Sequence, residues 1–485
     1  APNMTIKANG KLYFIGIGGT GMASSAGLAQ EAGYQVSGSD ANLYPPMSDL
    51  LESLKVDVKT PYSASNVEDL DADLVIVANA LSRGHEELEA ALEKGVDYTS
   101  FPQFLGENIL RNRQSIVVSG THGKTTTTSM MAHVLRCLNI DAGYLIGGIP
   151  KGFDKSFHLG KDQPFAIEGD EYDTAFFDKN SKFLHYFPKY LIFNNLEFDH
   201  ADIFENLEAI EAEFLKLFEK VSDKKNILAN IDDPGVLNFL EKNSFLDQVT
   251  QVSTLGQNTD AEFRTISTRT GSKTWTAKVN LGNWGELEFS TNMLGQHNIA
   301  NLLQVLSTVY RLAEDKIVAK PSLKDLKEAI ESFGGVQRRL DHLCSTNDID
   351  VFEDFAHHPT AVGLVLDTFK KSFPDRRLFV AFEPRNATSR RNIFSKRFAD
   401  SLNLADQVLI GHCPVDKRIP EAERMDTGAL AKLIGAKAEA FEDNTSLLDS
   451  LLEKVQPNDA VIFMSSGSFS GIQYQICDKL ADVRN

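Results

Sequence analysis

The chain is poor in cysteine, in tryptophan and in net positive charge, and it lacks long apolar runs. Of 485 residues, four are cysteine (Cys137, Cys344, Cys413, Cys477), and no two of them form a CxxC pair. That spacing argues against a zinc ribbon or a disulfide framework, and a reducing cytoplasm is the expected setting. The formal charge is −18, with 67 acidic residues against 49 lysines and arginines. A general nucleic-acid binder needs a broad basic face, so that class is set aside. No apolar stretch approaches the roughly 18 residues of a membrane-spanning helix. The N-terminus has no charged-then-apolar leader pattern, so neither a membrane nor a secretory route is expected.

What is present is ordinary globular material, 42% hydrophobic and 24% charged. The length suggests about three domains at roughly 150 residues each. Strand and helix patterns alternate through residues 1–112, for example Lys11–Ile17, Asp73–Ala78 and helical Glu86–Lys94. Such alternation predicts an α/β fold with parallel sheets. Residues 113–341 continue with apolar strands at Phe165–Glu168, Tyr190–Phe193 and Asn226–Ala229. The Thr-, Ser-, Gly- and Asn-rich stretch 250–292 follows, whose alternation predicts a small antiparallel sheet. Helices are expected over 296–313 and 322–332. From 342 to 485 a third α/β unit is expected, with strands Arg377–Phe382, Gln407–Ile410 and Ala460–Met464. No repeat or low-complexity tract interrupts the chain.

Two glycine clusters carry the chemistry. Tyr13-Phe-Ile-Gly16-Ile-Gly18-Gly19-Thr20-Gly21-Met22 follows a strand and opens a helix, and Asp40 stands about 20 residues on. This predicts a diphosphate on a helix N-terminus. The bland alternative is a tight strand-to-helix turn. The motif alone does not separate a nicotinamide dinucleotide from a nucleotide-diphosphate sugar.

The second cluster is Ser115-Ile-Val-Val-Ser-Gly120-Thr121-His122-Gly123-Lys124-Thr125-Thr126, an apolar strand running into a lysine-bearing loop and a helix. Glycines let backbone N–H groups approach phosphate, lysine reaches the β and γ phosphates, and a threonine hydroxyl suits Mg²⁺. The strict spacing places Val118 where a glycine is usual. An oxidoreductase would leave Lys124 unexplained, and a purely regulatory nucleotide binder would bind ATP without releasing phosphate.

Further segments fall in order: Asp170-Glu171-Tyr-Asp173, Asn195-Leu-Glu-Phe-Asp-His200, Gly295-Gln-His-Asn298-Ile-Ala-Asn301, Gly335-Val-Gln-Arg338-Arg339 and Asp354-Phe-Ala-His-His-Pro-Thr360. Together with the two loops they resemble the Mur ligase family over nearly the whole chain. That family's phosphate loop uses the same short glycine spacing. The resemblance implies three domains: a Rossmann-like UDP-binding one, a central ATP-binding one, and a Rossmann-like C-terminal one. It implies a cytoplasmic, ATP- and Mg²⁺-dependent amide ligase of the cell wall. Ala80-Leu-Ser82-Arg83-Gly84, Gly169–Asp178 and Phe382-Glu-Pro-Arg385 with Thr388-Ser-Arg390-Arg391 look more like members joining a murein tripeptide to UDP-N-acetylmuramate than like those that use L-alanine. His85-Glu86 departs from the family's Asn-Pro.

By resemblance, Gly16, Gly18, Gly19, Thr20, Gly21, Met22, Asp40, Ser82 and Arg83 take the UDP-sugar. Gly120 to Thr126, Asn298, Asn301, Arg338 and Asp354 take ATP. Thr125, Glu171 and His200 hold Mg²⁺, with Lys124, Glu171 and His200 catalytic. Arg385, Arg390 and Arg391 are candidates for the carboxylates of an incoming peptide. Asn298 could equally cap its helix. Lys216 lies near the position where some members carbamylate a lysine.

Overall fold

The computed structural model describes residues 5–197, 207–271, 274–385 and 389–482. The predicted His200, Asp199 and Thr388 lie outside them, and the side chains of Thr20 and Asp173 are likewise not described. The chain divides into two compact units. One holds residues 1–269, 276–292 and 298–334, the other 270–275, 293–297 and 335–485.

The first unit contains a five-stranded and a ten-stranded sheet. Its N-terminal sheet has five strands in the order Asp57–Lys59, Gln35–Ser39, Lys11–Ile15, Leu74–Val77, Tyr98–Thr99. All neighbouring pairs are parallel. The central strand is buried from Leu12 to Ile15, as its unbroken apolar run requires when helices cover both faces. Chain order reverses between Lys11–Ile15 and Leu74–Val77, the point at which open α/β sheets generally take their ligands. No long linker follows, for Leu110–Asn112 leads directly into strand Gln114–Ser119.

That strand belongs to a ten-stranded sheet, flanked in parallel by Tyr190–Phe193 and Pro164–Glu168. The expected small sheet at 250–292 is not separate. Thr250–Ser253, Phe263–Thr270, Trp275–Leu281 and Glu286–Thr291 extend one edge of the same sheet. Alternation reports one buried face but not which edge a strand joins. The helix Lys124–Cys137 packs Met130 and Val134 into the interior, as their spacing predicts.

The second unit has six strands ordered Asp341–Thr346, Ile349–Asp354, Ala460–Ser465, Leu378–Glu383, Gln407–Ile410, Ala438–Ala440. The first pair is antiparallel and the remainder parallel. Cys344 and Cys477 form a disulfide, contrary to the reading of the cysteines as unpaired. They are 133 residues apart in sequence, yet an edge strand and helix Ile472–Asp482 bring their Cα atoms to 6.0 Å. No helix among the described residues is long and apolar enough to cross a membrane.

Candidate active site

The first glycine loop leaves the buried end of Lys11–Ile15. Gly16 has φ +92°, where a side chain is strained, and a Cβ there would lie 2.7 Å from that of Ala78. Gly16 N and Ile17 N donate to Ser39 O at 2.9 and 3.0 Å. Gly18 N donates to Asp40 Oδ2 at 2.7 Å. Asp40 Oδ1 accepts from Ala41 N at 2.7 Å. Asp40 therefore braces the loop, a role the acid at this position was not assigned. Gly19 caps helix Thr20–Glu31 without a side-chain hydrogen bond, so the N–H groups of Thr20, Gly21 and Met22 lack the usual side-chain cap. Ser82 and Arg83 lie on the turn after Leu74–Val77, the strand paired with Lys11–Ile15. Arg83 forks onto Glu89 at 2.7 and 3.1 Å.

The second loop is held by the segment that follows its neighbouring strand Tyr190–Phe193. Asn195, just beyond Tyr190–Phe193, accepts from His122 N (2.8 Å) and donates to His122 O (3.1 Å). Glu197 N donates to Thr121 Oγ1 at 2.8 Å, and Glu197 Oε2 meets His122 Nε2 at 3.0 Å. Gly120 (φ +137°) leaves room for Asn195, whose Oδ1 would lie 3.0 Å from a Cβ there. Gly123 (φ +79°) caps helix Lys124–Cys137 and lies against Asn301. Asn301 Oδ1 accepts from Asn194 Nδ2 at 2.7 Å, so it shapes the loop from behind. Asn298 is the third residue of helix Gln296–Glu314, not its cap, and shares a face with Asn301.

Acidic residues at the end of Pro164–Glu168 complete this site, and they divide the work. Lys124 Nζ donates to Gly120 O at 2.9 Å and to Glu171 Oε2 at 3.1 Å. Burial presses the ammonium toward neutrality, but Glu171, Asp170 and Glu168 together hold its pKa above the ordinary lysine value. Glu168 faces elsewhere. A Cβ on Gly147 would lie 2.9 Å from Glu168 Oε2 and 3.3 Å from Thr125 Oγ1, so the two groups share the space this glycine leaves. Glu168 Oε1 is buried with no hydrogen-bond partner. An unpaired buried carboxylate oxygen beside a hydroxyl is costly unless a cation completes it, and hard oxygen donors fit Mg²⁺. Sequence reasoning favoured Glu171 for the ion and gave Asn195, Glu197 and Gly147 no task. The Asn-Leu-Glu segment was the available signal.

In the second unit, Arg338 Nη2 donates to Ser465 O (2.8 Å) and Gly467 O (2.6 Å). Asp354 is buried. Its oxygens accept from Leu340 N at 2.7 Å and Ala356 N at 2.8 Å, and burial raises its carboxyl pKa despite those bonds and the nearby arginines. Both residues, predicted to touch ATP, make bonds inside this unit: Arg338 to the end of Ala460–Ser465 and the turn after it, Asp354 to the backbone of Leu340 and Ala356. Arg385 Nε lies 3.5 Å from buried Glu383. Arg390 reaches Asp416 at 3.6 Å, and its Nε is buried without a partner. Burial raises the Cys413 thiol pKa, while the Arg390 and Arg385 guanidiniums beside it act in the opposite sense. Arg391 turns to Glu423 at 3.6 Å.

Comparison with known proteins matches three family models in order. These are the Mur ligase family catalytic domain over residues 11–113, the Mur ligase middle domain over 118–309, and the Mur ligase glutamate ligase domain over 338–467. The UDP-N-acetylmuramate--L-alanyl-gamma-D-glutamyl-meso-2,6-diaminoheptandioate ligase of Escherichia coli K12 is 36% identical, covering 97% of this chain and 98% of that protein. The UDP-N-acetylmuramate--L-alanine ligase of Leuconostoc citreum KM20 is 32% identical, covering 97% and 98%. The crystal structure of a murein peptide ligase from Psychrobacter arcticus 273-4 superposes with a TM-score of 0.68 at 34% identity, covering 98% and 99%.

Proposed function

This chain belongs to the Mur ligase family of ATP-dependent ligases, and on that premise we propose that it joins UDP-N-acetylmuramate to the tripeptide L-alanyl-γ-D-glutamyl-meso-diaminopimelate in cytoplasmic recycling of the cell wall. Residues 1–112 take the UDP-sugar, 113–341 take ATP, and 342–485 take the peptide. The observation that carries the reading is the charge arrangement at the second loop: Lys124 tied to Gly120 and Glu171, with Glu168 and Thr125 facing one another beside it.

The reaction has two steps. A lactyl carboxylate oxygen attacks the γ phosphorus of ATP, the bond to the bridging oxygen breaks, and ADP leaves. The peptide amine then attacks the acyl carbon, loses a proton, and the tetrahedral intermediate expels inorganic phosphate. Negative charge spreads over the transferring phosphoryl oxygens, so fixed cations and oriented N–H groups accelerate it. Lys124 supplies such a cation, kept charged by its acidic neighbours. The N–H groups that open helix Lys124–Cys137 point at the phosphates. Thr125 and Glu168 would hold Mg²⁺, which neutralises β and γ oxygens when bound. Glu171 acts through Lys124, and His200 remains a candidate second ligand. Arg385 and Arg390 take peptide carboxylates in fork geometry.

An L-alanine ligase is the second reading, favoured by the 32% relative. Phosphate release with ATP, Mg²⁺ and UDP-N-acetylmuramate separates the two when L-alanine and the tripeptide are compared as amines. The tripeptide should give the higher kcat/KM by at least about 100-fold, the discrimination a site built to pair carboxylates can deliver. A preference for L-alanine overturns the assignment.

A further inference from the structure

Glu87 is a fully buried acidic residue that the reaction does not use. It sits in the first turn of helix Glu86–Lys94, beneath the first glycine loop. Three side chains from three segments donate to it. The Ser39 hydroxyl donates to Oε2, Asn66 Nδ2 donates to Oε1 at 2.6 Å, and the Tyr13 hydroxyl donates to Oε1 at 3.3 Å. Burial raises the Tyr13 pKa well above the ordinary tyrosine value, so that phenol stays protonated and able to donate.

Each partner leads to the loop. Ser39 O is the acceptor that holds Gly16 N and Ile17 N, and the next residue, Asp40, holds Gly18 N. Asn66 also donates to Pro61 O at 3.0 Å and so fixes the segment carrying Tyr62. The Tyr62 hydroxyl lies 3.5 Å from the position a Cβ on Gly16 would take. Tyr13 is on the strand that ends at Gly16. A helix needs no fully buried carboxylate in its first turn, since exposed Glu86 and half-buried Glu89 already complement its dipole there. Placing one beneath a loop whose ligand carries two phosphates has an electrostatic cost. A geometric gain at that loop offsets it.

We propose that Glu87 is a positioning residue for UDP-sugar binding, fixing the first glycine loop in its ligand-ready shape through Ser39, Asn66 and Tyr13. The inference rests on the reading of that loop as the UDP-sugar site. Glu87→Ala removes all three acceptor contacts, whereas Glu87→Gln keeps the shape and most of them, because the Ser39 hydroxyl can turn to accept from the new amide. Titration calorimetry of UDP-N-acetylmuramate and, separately, of a non-hydrolysable ATP analogue reads the two loops independently in the full chain.

For Glu87→Ala the sugar nucleotide should bind about tenfold more weakly, as expected for lost hydrogen bonds to a charged group. KM for it should rise in step, while kcat, KM for ATP and analogue affinity hold. Glu87→Gln should recover binding to within about threefold. A folded Glu87→Ala protein with unaltered sugar-nucleotide affinity overturns the proposal, as does an equal loss at both loops. Should that variant not fold, Asn66→Ala and Ser39→Ala each remove one contact, and no weakening in either overturns it. Failure of the unaltered protein to bind UDP-N-acetylmuramate while it binds the analogue overturns the UDP-sugar reading, and this inference with it.

Discussion

The two glycine loops are built alike and equipped differently. Each follows a buried parallel strand at a point where the sheet reverses its strand order, and each opens a helix. The first is braced by acceptors at its back, Ser39 O and Asp40 Oδ2, and lysine is absent from Gly16 through Glu31. The second is braced by Asn195 and Glu197 and adds Lys124, Glu168 and Glu171. On the proposed reading, backbone N–H groups suffice where a diphosphate is only held, and ionised side chains are added where charge moves during the reaction. The loops should therefore fail differently when altered, one in KM and the other in kcat.

The largest expected effect is at Lys124. Lys124→Ala removes the fixed cation from the transferring phosphoryl group, and phosphate release should fall by about 1000-fold or more. Binding of UDP-N-acetylmuramate should stay within about threefold, because the first loop has its own braces. An equal loss in sugar-nucleotide binding would mean that the loops are not independent.

The two glutamates of the second loop come next, and they separate holding an ion from holding a lysine. Glu168→Gln should lower kcat by about 100-fold and raise the Mg²⁺ concentration needed for half-activity, since it removes a charged oxygen beside Thr125. Glu171→Gln should cost about tenfold and leave the Mg²⁺ requirement near its original value. Its signature is in pH. Lys124 has its pKa raised above the ordinary lysine value against the opposing pull of burial, and Glu171 is the foremost raising group. The ammonium is present below that raised pKa and is lost as pH rises through it. Removing Glu171 lets burial dominate, so the alkaline limb of the kcat profile should move to lower pH. If Glu171→Gln instead shifts the Mg²⁺ requirement and Glu168→Gln does not, the two roles are exchanged.

Much of this was readable in the chain, and what was not has a physical reason. Strands Tyr190–Phe193 and Gln407–Ile410 and helix Glu86–Lys94 fall where their patterns place them. The loops were legible because glycine at a positive φ leaves a mark in sequence. Glu168, Asp170 and Glu171 crowd into four residues, and sequence cannot say which way each turns at a strand end. In the fold, Glu168 faces Thr125, Asp170 meets Lys182 at 3.3 Å, and Glu171 meets Lys124. The Cys344–Cys477 contact was invisible because it depends on which strand forms the sheet edge. The small sheet merged with the large one for the same reason: pairing partners are chosen by tertiary packing.

The smallest effect bears on what an acid does after a glycine-rich turn. An acidic residue at that spacing commonly meets a ribose hydroxyl. Here Asp40 already accepts from Gly18 N and Ala41 N. An asparagine can accept from Gly18 N through its single carbonyl oxygen and loses only the charge and the second acceptor. Asp40→Asn should therefore raise KM for UDP-N-acetylmuramate by only about three- to fivefold, the scale of one weakened hydrogen bond, with kcat and KM for ATP unchanged. Asp40→Ala, which lets go of Gly18 N, should cost more. The comparison also works in reverse. If the acid's main partner were a ribose, a truncated ligand lacking that hydroxyl would bind wild type and Asp40→Asn equally, and the Asn and Ala variants would behave alike. If the acid braces the loop, the gap between Asn and Ala persists with the truncated ligand, because the bond to Gly18 N forms whether or not a ribose is present.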